Sequence, residues 1–74
     1  MKAGDKFIDF DRDLEMIVAE IKTSTALCIP ARNSFNKDIT DLEYFQLILR
    51  YGKEYTDFDF LNAAIDGFND DCTK

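Results

Sequence analysis

From residue 40 onward the apolar positions recur with helical spacing. Thr40 followed three residues later by Glu43 is a capping-box pair, the stretch 41–51 is apolar enough to be packed, and Gly52 supplies a left-handed stop, so the pattern predicts a helix over about 41–51. A second helix is predicted over about 57–66. Thr56 with Asp57 and Asp59 behind it starts this helix, the acids lying at the positive end of its dipole, and Gly67 ends it. Phe58, Leu61, Ala64, Ile65 and Phe68 then fall on one face.

The first half is patterned differently. Short runs rich in Ile, Val, Thr and Phe at 7–10, 14–21 and 25–31 are separated by Asp11-Arg12-Asp13 and Lys22-Thr23-Ser24, which have the composition of hairpin turns. Leu14, Ile17, Val18 and Ile21 also fit helical spacing, which leaves an all-α three-helix bundle as the alternative. The β-branched series at 21–25 makes a poor helix interior and Pro30 forbids a long continuation, which favours strands. The expected architecture is α+β: a three-stranded antiparallel meander over about 7–31, a connector at 33–38, and two helices covering one face of the sheet. With 74 residues the chain forms one small domain with a thin core, and its end is expected to fray from about residue 69.

Within the first helix, Glu43, Gln46 and Arg50 share a narrow polar face. Leu42, Phe45, Ile48 and Leu49 suffice to face the sheet, which leaves Tyr44, Leu47 and Tyr51 on a flank suited to a partner, since a tyrosine ring buries large area while its hydroxyl stays satisfied. On the second helix Asp59, Asn62 and Asp66 line the side opposite the apolar stripe, with Asp57 nearby and Asp70 and Asp71 beyond. A row of carboxylates at helical spacing imitates the phosphates of a nucleic acid and suits a basic groove on another protein.

Net charge sharpens this picture. The chain carries 15 acids, 9 bases and a formal charge of -6, and all of the excess lies in residues 38–74, because the acids and bases of 1–37 balance. Acidity opposes direct binding to DNA or RNA, which are held chiefly by Lys and Arg. No apolar stretch approaches the roughly 20 residues of a membrane helix and no secretory leader is evident, so a soluble, cytoplasmic protein is expected.

Candidate chemistry is sparse. Acids at Asp9, Asp11, Asp13 and Glu20 match positions 1, 3, 5 and 12 of a calcium loop, but Leu14 stands where that loop needs Gly, and a charged hairpin turn accounts for the same acids. Cys28 and Cys72 lack the spacing of a zinc site, with no His to complete one, and are expected to be free thiols, the first buried and the second accessible. Without His, a nucleophile with a general base, or a Gly-rich phosphate loop, no enzyme activity and no cofactor are expected.

The expected function is a non-enzymatic inhibitor or regulator. It docks its acidic half, as a nucleic-acid mimic, on the basic surface of a larger protein, a type common among virus- and mobile-element-encoded proteins that act in the host cytoplasm. The alternative is a structural component that self-associates through Tyr44, Leu47 and Tyr51, and either a monomer or a weak homodimer fits the sequence.

Overall fold

The computed structural model describes residues 1–35 and 38–73, with side chains described as far as Asp70. Strands β1 (Lys6–Asp9), β2 (Leu14–Ile21) and β3 (Ala26–Pro30) form the expected meander, and a fourth, β4 (Lys53–Tyr55), extends it. The sheet order is β1-β2-β3-β4 with every neighbour antiparallel. Helix α1 (Asp41–Tyr51) connects β3 to β4 and packs against β3, while α2 (Phe58–Thr73) closes the chain and lies across β1. This is a small α+β domain, and the all-α alternative is excluded.

Alternation along each strand sets the core. Phe7, Met16, Val18, Ala26 and Cys28 point to one face with Tyr55, and Leu61 and Ile65 of α2 close over them. Phe7 meets the Tyr55 ring edge-on at 5.5 Å between centroids. Cys28 is fully buried, and desolvation pushes its thiol up to about 11, so it behaves as a small apolar side chain. Cys72 has its side chain outside the described residues.

Both hairpins turn where the sequence changes character. Residues 10–13 form the first turn, with Asp13 in the left-handed region at φ 54°, and Lys22 N–H donates to the Thr25 carbonyl (2.7 Å) across the second. The fourth strand escaped the sequence reading because it is three residues long and only Tyr55 turns inward.

The capping box at α1 is fully formed. Glu43 N–H donates to Thr40 Oγ1 (3.2 Å) and Thr40 N–H donates to a Glu43 carboxylate oxygen (3.3 Å). Gly52 stops the helix by another route than expected. Its backbone is extended (φ -62°, ψ 142°), leading straight into β4, and glycine is needed because a Cβ would sit 2.6 Å from the Ile48 carbonyl oxygen. The orientation of α1 also differs from expectation. Tyr44, Leu47, Ile48 and Tyr51 are half-buried, whereas Leu42, Phe45 and Leu49 are 67%, 56% and 71% exposed. Hydrogen bonding explains the reversal: the Tyr44 hydroxyl donates to the Pro30 carbonyl at the end of β3, which draws that ring inward, and Arg12 donates to the Tyr51 backbone carbonyl, which fixes the C-terminal end of α1.

Helix α2 begins one residue later than expected and runs past Gly67 to Thr73. Asp57 is its N-cap, with Oδ1 accepting from Phe60 N–H at 3.0 Å. Gly67 does not end the helix because Phe68 beyond it continues the half-buried stripe. Gly67 is exposed with nothing within 4 Å of an added Cβ, so Gly67→Ala should raise stability by about 0.5–1 kcal/mol, measured as a higher urea midpoint with unchanged slope.

Candidate partner-binding surface

The inward stripe of α2 fixes what its outer side presents. With Leu61 and Ile65 buried and Phe58, Ala64 and Phe68 half-buried, Asp59, Asn62 and Asp66 are exposed on the opposite side of the helix. The rise of the helix separates Asp59 from Asp66 by about 10 Å along the axis. Asp57 is exposed at the head of this row and Asp70 at its foot, and the stretch 57–73 contains no Lys or Arg. The side chain of Asp71 lies outside the described residues. Among the described residues no base forms a salt bridge with Asp59 or Asp66, whose negative field is therefore directed into solvent.

Tyr44, Leu47 and Tyr51 do not join this row. They sit half-buried on α1, with the Tyr44 ring beneath the Arg32 guanidinium (4.6 Å to the centroid) and its hydroxyl engaged by Pro30. Arg32 in turn pairs with Asp41 at 2.5 Å, joining the 3-10 turn Arg32–Ser34 to the start of α1.

The strongest ionic cluster in the described residues is internal. Asp9, 7% exposed, accepts from Tyr55 Oη (2.8 Å) and Arg12 Nε (3.0 Å) on Oδ2 and from the Asp11 and Arg12 amides (3.1 and 3.4 Å) on Oδ1. Arg12 also donates to the Tyr51 carbonyl at 2.7 Å and the Tyr55 hydroxyl at 3.3 Å. Burial alone would raise the Asp9 pKa, but the hydrogen bonds from Tyr55 and Arg12 and the Arg12 charge outweigh it and hold the carboxyl below its ordinary value. Desolvation and the Asp9 carboxylate push the Tyr55 phenol up to about 12. Every member is occupied by another, so the cluster clasps the first turn to the end of α1 and to β4 rather than presenting a reactive group.

The acids that match calcium-loop spacing are split apart. Asp9, at the end of β1, pairs with Leu14 at the start of β2, whereas Glu20 lies six residues further along β2, about 20 Å away. Among the described residues no three His, Cys, Asp or Glu side chains are arranged to hold a metal ion. No helix of the described residues is long and apolar enough to cross a membrane. Comparison of the chain with models of known protein families, with curated proteins and with solved structures finds no match in any of the three.

Proposed function

We propose that this protein is a non-enzymatic regulator or inhibitor that docks the outer face of α2 on a basic surface of a larger, nucleic-acid-handling protein. The observation that carries the reading is the exposure of Asp59 and Asp66, with no salt-bridging base among the described residues, on a helix whose other side is locked into the core. A rigid helix holds charge at fixed spacing, which is what a phosphate-binding groove recognises. Self-association through Tyr44, Leu47 and Tyr51 draws no support from their inward orientation.

The test compares two double reversals of equal net charge. Asp59→Lys with Asp66→Lys alters the α2 face, and Glu20→Lys with Asp38→Lys alters exposed acids elsewhere. Both should fold, each within about 0.5 kcal/mol per substitution of the parent. The α2 variant should bind the protein recovered with the tagged parent chain at least about tenfold more weakly, with most of the loss in association rate, while the second variant stays within about twofold. Equal weakening by both variants would reduce the acidic face to general charge.

A further inference from the structure

Independently of the α2 face, α1 leaves a second surface exposed, with no partner among the described residues. Leu42, Phe45 and Leu49 are all more than half exposed and follow i, i+3, i+7 spacing, the seam along which one helix packs on another. Beside this seam runs a polar row, Glu43, Gln46 and Arg50, all exposed. Arg50 forms no ion pair among the described residues and lies over the Tyr51 ring at 6.0 Å. The row borders a groove of about 750 Å³ whose lining also includes Ile39, Leu47 and Leu49.

Read in opposite directions, the row complements itself. We propose that this face binds a second copy of the chain, the two α1 helices packing antiparallel about a two-fold axis. In that arrangement Leu42 of one copy faces Leu49 of the other with the Phe45 rings between them. On the flank Glu43 faces Arg50, Gln46 faces Gln46, and Arg50 faces Glu43. One register satisfies both the apolar and the polar row to within about one residue, or 1.5 Å of helix rise. A parallel pairing about an axis along the helices places the two polar rows on opposite sides of the seam, so Glu43 and Arg50 find no complementary partner there. A flank holding one acid and one base is neutral, unlike the chain of charge -6, so it selects a copy of itself over a strongly charged partner. The two-fold axis closes the assembly as a dimer. An 11-residue helix is only about 16 Å long and offers less than the roughly 800 Å² per partner of a standard interface, so the dimer is weak.

Sedimentation equilibrium with single-charge variants tests this pairing. At about 0.15 M salt, which screens the repulsion between two acidic chains, the parent should pass from monomer to dimer as concentration rises toward about 1 mM. Arg50→Glu alone and Glu43→Arg alone each set like charges together twice per dimer, and each should weaken association at least about tenfold. An equal mixture of the two restores both opposite-charge contacts and should dimerise about as tightly as the parent. Circular dichroism of each variant verifies the helix, so that loss of association is not loss of fold. A parent that stays monomeric at about 1 mM, which would leave the face to some other partner, or a mixture no tighter than its components, overturns the proposal.

Discussion

Leu61→Ala should lower the unfolding free energy by about 3–5 kcal/mol, the upper part of the range for deleting a buried leucine side chain. Leu61 is fully buried and, with Ile65, closes α2 over the sheet among the described residues. The surrounding Phe7, Met16 and Tyr55 rest on paired strands and have little freedom to collapse into the space. A domain of this size has a total stability of about 4–11 kcal/mol, so the variant should lose between about a quarter and all of it. Urea unfolding at 10 °C measures the loss, and a decrease below about 1 kcal/mol would mean that α2 is not the lid of the core.

Breaking the internal clasp should produce the next largest effect. Asp9→Ala removes the acceptor for two side chains and two amides and leaves Arg12, 28% exposed at its side chain, without its carboxylate. The expected cost is about 2–3 kcal/mol, below that of breaking a fully buried pair because water reaches Arg12. Its pH dependence follows from the direction of the Asp9 shift. The folded-state pKa lies below the ordinary 3.8, so the contribution is fully present above that pH and is lost as pH falls through the lower folded value. Asp9→Ala should therefore show a flatter loss of stability under acid than the parent. At the alkaline end the sign is opposite. Tyr55, raised from 10.0 to about 12, contributes fully below pH 10 and loses that contribution as pH rises toward 12, a loss Tyr55→Phe should abolish. Thermal unfolding from pH 2.5 to 11 distinguishes the three proteins.

These two results concern features of unequal legibility in the sequence. The α2 stripe was readable because its apolar residues sit on one face with acids opposite, so periodicity alone orients the helix. Helix α1 is apolar around most of its circumference, and periodicity could not choose between Phe45 and Tyr44; the choice falls to the Pro30 and Arg12 hydrogen bonds, made to residues distant in sequence. The Asp9 turn was visible as a charged hairpin, but its partners Tyr51 and Tyr55 lie about 40 residues away and become neighbours only when β4 pairs with β3. Gly67 misled because glycine favours helix ends, whereas here the packing of Phe68 carries the helix through it.

The central claim is that α2 presents a charged face built for a basic surface. It is tested most directly by titrating the isotope-labelled protein with an oligo-arginine peptide at low salt and following amide shifts residue by residue. The expected result is a set of changes concentrated at Asp57, Asp59, Asn62 and Asp66, fading as ionic strength rises past about 0.15 M, where screening acts within about 8 Å. Changes spread equally over exposed Asp11, Asp13 and Glu20 of the first half would contradict it, because the peptide would then be sensing net charge rather than a docking face.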